Sequence, residues 1–210
     1  MTQREQYKRY REVGQELHNK ILGAYSDREM ILKSAQLLGI EHNGTNVLYD
    51  VESDMTVHFE FLLYEYRQNG QTAIDQYYTN KRWDTDIEQT ILEAGLDAET
   101  SLFQITAINE ADDRLILTDL LNDEDDIPVM DINLSHTAEP ESLLFFRLVP
   151  YEAFNMTSGV AFPFPADEMD RLLSDYEHRA DHLDSQPPSV QRFVAFYDLY
   201  RDYGSHIQYE

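Results

Sequence analysis

The stretch SLFQITAINEADDRLILTDLLNDEDDIPVMD, residues 101–131, decides how the middle of this chain is read. Phe103, Ile105 and Ala107 alternate with Gln104 and Thr106, the period of a half-buried strand. Asn109 to Asp113 makes a polar break, and Leu115 to Leu121 resumes an extended apolar pattern. Together the two runs predict a hairpin. Asn122 to Asp126 reads as an acidic, solvated turn and Val129 to Leu134 as the next strand. Downstream, SLLFFRLVP (142–150) is apolar on both faces, and TSGVAFPF (157–164) follows. Five short strands at hairpin spacing predict a small, curved antiparallel sheet or an SH3-like barrel.

Helices flank this module on both sides. From residue 3 to about residue 25, Tyr7, Tyr10, Val13, Leu17, Ile21 and Leu22 recur at helical spacing. Ser26 and Glu29 have the S-x-x-E form of a capping box opening a helix over 27–38, which Gly39 stops in the left-handed conformation. The run SDMTVHFEFLLYEYRQNG (53–70) mixes β-branched and aromatic residues with a helical stripe of Met55, Phe59, Leu62 and Tyr66, and is read as helix. Short helices follow at 73–78 and 86–94, the second with Thr85 and Glu88 as its box and Gly95 as its stop. After Asp167, Met169, Leu172, Leu173 and Tyr176 return to helical spacing. Pro187-Pro188 breaks that helix, and Ser189 reads as the cap of a last one running to Gly204. The reading is α+β: a helical region 1–97, the β module 98–165 and closing helices 166–210, packed as one unit.

The sequences SLFQITAINEADDRLILTDLL, VMDINLS, LLFFRLVP and FNMTSGVAFPFP resemble those of a group of uncharacterised prokaryotic proteins with a small β module between helices. The resemblance covers about residues 35 to 175. It implies no reaction and carries no catalytic residue onto this chain.

Composition narrows the chemistry. A chain of 210 residues can bury a real core, and the absence of cysteine removes disulfides, thiolate metal sites and cysteine nucleophiles. No long apolar run and no secretory h-region is visible, so a cytoplasmic protein with no membrane contact is expected. Sixteen Lys+Arg stand against 40 Asp+Glu, a net charge of -24 that disfavours nucleic acid and anionic membrane. An acidic surface poor in lysine suits a halophilic, salt-adapted organism. The charge is uneven: residues 1 to 34 hold seven basic against five acidic side chains, and the rest nine against 35.

Each candidate site competes with an ordinary structural role. An EF-hand needs glycine at its sixth position and glutamate at its twelfth. Starting at Asp119 these are Glu124 and Met130, and starting at Asp123 they are Pro128 and Leu134, so neither register fits. Asp119 and Asp131 interrupt strand patterns, and a hairpin centred near Glu124 would set them face to face. They suit either a structural pair with Arg147, itself embedded in an apolar strand, or a metal-binding carboxylate pair. His178 and His182 stand at i and i+4, but Arg179 occupies the place of the zinc-protease glutamate. Ser158 lacks a nucleophile elbow, and no phosphate-cradling glycine motif exists.

Tyr7 and Tyr10 interleave with Arg4, Lys8, Arg9 and Arg11 on the first helix, and with Tyr197, Tyr200 and Tyr203 they suit aromatic interface anchors. The functional expectation is a non-catalytic cytosolic protein-interaction or regulatory module with no cofactor. Its partner is another protein or a second copy in a homo-oligomer. A metal-dependent hydrolase using strand carboxylates and a nucleic-acid-associated or DNA-mimic protein are the alternatives.

Overall fold

The computed structural model describes residues 1–204. Two compact units emerge, Met1–Asp97 and Ala98–Glu210.

The first unit is all helix: α1 (Gln3–Tyr25), α2 (Arg28–Leu37), α3 (Glu52–Tyr64), α4 (Ala73–Thr79) and α5 (Asp86–Leu96). The ambiguous 53–70 run is thus helical over most of its length, its Phe61 and Leu62 fully buried beside Leu17, Ile21 and Leu92. Caps explain the boundaries. Thr85 Oγ accepts the Glu88 amide at 3.2 Å, one half of the expected box, while the Glu88 carboxylate accepts from the Asp84 amide and Lys20 Nζ rather than from the Thr85 amide. Ser26 does not cap α2: its hydroxyl turns back to the Leu22 carbonyl, and Asp27 takes the role by accepting the Met30 amide at 2.9 Å. Gly39 adopts φ +65°, the left-handed stop its position predicts. Gly95 is no stop, because α5 continues to Leu96. A Cβ there would lie 2.6 Å from Ile74 Cδ1, so glycine serves close packing between α5 and α4.

The second unit begins with β1 (Glu99–Asn109), β2 (Arg114–Asp119) and β3 (Glu124–Met130). A short helix α6 (Leu134–Thr137), then β4 (Leu143–Pro150), β5 (Asn155–Phe164), α7 (Met169–Asp181) and α8 (Pro188–Tyr203) complete it. The strands close a barrel in the order β1-β2-β3-β5-β4. All register pairs are antiparallel except β3 with β5, which run parallel and meet at Val129↔Asn155. The sheet is therefore mixed rather than wholly antiparallel, and its order is a Greek key rather than the sequential hairpins of an SH3-like barrel. The cause lies in chain length: α6 and its flanking loops let β4 cross to β1, which leaves the side of β3 to β5.

Strand periodicity sorts two apolar layers. Phe103, Ile105, Leu115, Leu117, Ile127, Val129, Leu144 and Phe146 fill the barrel, with Phe103 and Phe146 stacked at 4.4 Å. The opposite faces of β4 and β5 present Phe145, Phe162 and Phe164 to Phe193, Phe196 and Tyr200 of α8. This double coverage is why SLLFFRLVP is apolar on both faces.

Candidate functional site

Only Asn122 and Asp123 of the acidic run lie in the turn. Chain reversal occurs over residues 120–123, with Asp123 at φ +53°, and Glu124 already pairs with Asp119. That shift undoes the expected meeting of Asp119 and Asp131. Arg114 pairs with Met130, so the two carboxylates stand at opposite ends of the β2–β3 pair.

Each is occupied locally. Asp119 Oδ1 accepts from the Ser101 hydroxyl and from the amides of Leu121 (3.0 Å) and Asn122 (3.1 Å), while Oδ2 accepts from Asn122 Nδ2 at 2.8 Å. This is an Asx-turn that shapes the β2–β3 loop. Asp131 Oδ1 accepts the amides of Asn133 and Leu134, starting α6, and Oδ2 accepts the Thr157 hydroxyl at 2.6 Å. Arg147, 3% exposed, donates from Nη1 to the Ala98 carbonyl at 3.1 Å. A metal-binding pair of Asp119 and Asp131 is excluded by this geometry. Among the described residues no group of three or more His, Asp or Glu side chains converges as metal ligands.

The helix residues are likewise engaged within their own units. Tyr7 is 6% exposed and accepts from Arg11 Nε at 3.1 Å, which makes it a core residue rather than an anchor. Tyr10 accepts from Gln6 Nε2 at 2.7 Å and keeps part of its surface. Tyr197 is buried. Tyr203 donates to Asp175 at 3.1 Å beneath the Arg171 guanidinium, and burial with that hydrogen bond pushes its hydroxyl up to about 12. His178 and His182 are exposed, their rings 5.9 Å apart and edge-on.

Sequence reading missed two histidines of the helical unit, His58 fully buried and His18 partly buried. Ser34 Oγ donates to the Met30 carbonyl at 2.7 Å, so it accepts from His58 Nε2 at 2.7 Å, leaving Nδ1 to accept the Tyr49 hydroxyl at 2.8 Å. His18 Nε2 pairs with the Tyr64 hydroxyl at 2.9 Å. Burial lowers both imidazoles to about 4, with Arg11 adding to the effect at His18. Both are neutral structural groups. Ser34 is wholly enclosed, which removes it as a nucleophile.

What sequence reading also missed is a cleft of about 240 Å³ on the barrel. Arg114 at the start of β2, Val129 and Met130 on β3, and Tyr151, Glu152 and Phe154 in the β4–β5 loop line it. Its floor is the Val129↔Asn155 seam, where Asn155 Nδ2 also donates to the Pro128 carbonyl at 3.1 Å. Below the seam, the outer edge of β3 carries Glu124, Asp125 and Asp126. Proline at 128 and φ +57° at Asp126 break the regular row of amides there, so this edge is guarded against a further strand. The cleft is thus suited to a side chain rather than to an added strand.

A family model matches residues 1–210, described as a family of unknown function, DUF7986. The chain belongs to the DUF7986 family. The match spans more than the stretch 35 to 175 and takes in both units. No curated protein and no solved structure matches the chain. For this DUF7986 member the site therefore rests on its own geometry, and no helix among the described residues is long and apolar enough to cross a membrane.

Proposed function

We propose that this chain is a non-catalytic interaction module of the cytosol of a salt-adapted organism. Its barrel cleft receives one apolar or aromatic side chain of a basic protein segment. The observation that carries this reading is the cleft itself, lined by Tyr151, Phe154, Val129 and Met130 and rimmed by Arg114 and Glu152. At about 240 Å³ it is smaller than the roughly 300–1,000 Å³ typical of small-molecule and cofactor sites, and nearer the size of one side chain.

Strand order β1-β2-β3-β5-β4 with a helix between β3 and β4 is the connectivity of OB-type barrels, which bind ligands on the β2–β3 face and the loops beside it. The cleft lies on that face. Such barrels often take oligonucleotides, but fold alone assigns no ligand. Six arginines and no lysine stand against 23 carboxylates over residues 98–210, a field that selects a cationic partner. The commitment of Asp119 and Asp131 to turn and helix-start hydrogen bonds further supports a binding role over hydrolysis.

The test uses the full chain and fluorescently labelled peptides. A lysine- and arginine-rich peptide carrying one phenylalanine should bind at moderate salt. Replacing that phenylalanine by alanine, or Phe154→Ala in the protein, should weaken it at least tenfold. Tighter binding of a single-stranded oligonucleotide than of the peptide, or indifference to Phe154→Ala, overturns the reading.

A further inference from the structure

The N-terminus of α8 holds a set of donors without acceptors. Sequence reading makes Ser189 its cap, but the helix starts one residue earlier: Pro188 opens it, Pro187 takes the cap position, and no side chain closes it. Proline has no amide hydrogen, and the Gln191 amide already bonds the Pro187 carbonyl at 3.0 Å. The first-turn amides of Ser189 and Val190 are left to outside acceptors. Beside them, Ser189 Oγ and Arg192 Nε are shielded from solvent without a hydrogen-bond partner, and so is Thr100 Oγ on a residue 3% exposed.

Three relations bring these groups to one place. Arg192 Nη1 donates to the Thr100 carbonyl. Ser189 and Arg192 are three residues apart on one helix face, and an arginine on a helix leans back toward the N-terminus. Phe103 and Ile105 of β1 point into the barrel, so Thr100, of opposite parity, lies on the outer face. Arg147, its register partner on β4, donates to the Ala98 carbonyl and brings a second guanidinium to this end of the strand.

We propose that this cluster of donors binds a monatomic, chloride-sized anion. Three of its groups, two helix amides and Arg192 Nε, can only donate, and a water molecule accepts at most two hydrogen bonds. An anion accepts from all of them together with both hydroxyls, and it neutralises a half-buried guanidinium that forms no ion pair among the described residues. The enclosure of the donor atoms suits a halide and leaves out phosphate. The site is independent of the cleft on the β2–β3 face.

The full chain in sodium chloride gives the first test, by ³⁵Cl line broadening. A chain of net charge -24 repels chloride from its surface, which keeps the background low. The wild type should show excess width that bromide displaces. Ser189→Ala, which removes one hydroxyl and leaves the fold intact, should weaken binding several-fold, and Arg192→Gln at least tenfold. Crystals grown in sodium bromide should give an anomalous peak within hydrogen-bonding distance of Arg192 Nε and Ser189 Oγ. Equal line widths for wild type and Arg192→Gln, or density there with no anomalous signal, means an ordered water and overturns the proposal.

Discussion

The helical unit holds a buried His58 and a partly buried His18, each hydrogen-bonded to a tyrosine, whereas the barrel unit fills its two apolar layers with phenylalanine rings. Both solutions give buried, partnered interiors, but they respond to different perturbations. A neutral imidazole inside a core ties stability to proton concentration; a stack of rings ties it to shape.

Truncating the ring at the centre of the outer layer breaks the comparison most strongly. Phe145 touches Phe162, Phe193 and Phe196, and Phe145→Ala should destabilise the barrel unit by about 3–5 kcal/mol. Urea unfolding followed by near-ultraviolet circular dichroism measures it. Loss of less than 1 kcal/mol would mean that the layer repacks.

Acid should act on the other unit. Each histidine has a folded value of about 4 against an ordinary 6.5, so the unfolded state binds more protons between those limits. Stability is therefore complete above about pH 6.5 and falls as pH drops toward 4, by roughly 2 kcal/mol per histidine at pH 5. Glu88 adds a further loss below about 4.5: burial works against its charge, but Lys20 and the Asp84 amide outweigh it and hold the carboxyl below its ordinary value. Trp83, the sole tryptophan, stacks on Tyr78 at 5.2 Å and reports on this unit by fluorescence. A denaturation midpoint for Trp83 that does not move between pH 7.5 and 5 would contradict the assignment.

A smaller effect lies in the barrel's polar joints. Asp119→Ala strips the acceptor from Ser101, Leu121 and Asn122, and about 2–3 kcal/mol of destabilisation is expected from equilibrium unfolding. Asp125→Asn, at the exposed end of β3, should change stability by less than about 0.5 kcal/mol. If the two variants proved equal, Asp119 would be no more than part of the acidic surface.

Local signals carried far in the sequence and stopped where distant segments meet. The alternation at Phe103 and Ile105, the α1 stripe and the Thr85 cap each depend on neighbours within a few residues, and each is seen in the fold, although a bulge after Ile105 turns Ala107 to the surface. Ser26 was misread because Asp27 competes for the same cap one position on. The β2–β3 turn slid by about two residues because Asp123 accepts a positive φ that no pattern of apolar residues encodes. That slide separated Asp119 from Asp131 and removed the candidate pair. The cleft was invisible because its walls come from β2, β3 and the β4–β5 loop, brought together by a strand order that hairpin spacing does not specify. His18 and His58 give no signal of their own, since a histidine on an apolar helix face looks the same whether buried or exposed.

The single parallel seam between β3 and β5 has a kinetic consequence. Hairpins β1–β2 and β2–β3 join residues close along the chain, but Val129 meets Asn155 only after the chain has travelled through α6 and β4. The β1–β4 ladder spans still more chain but repays its closure with six register pairs, whereas the seam returns a single one, so the seam should assemble last and open first. Amide protons beside it are then the earliest in the barrel to exchange with solvent, through openings that leave the meander of β1 to β3 intact.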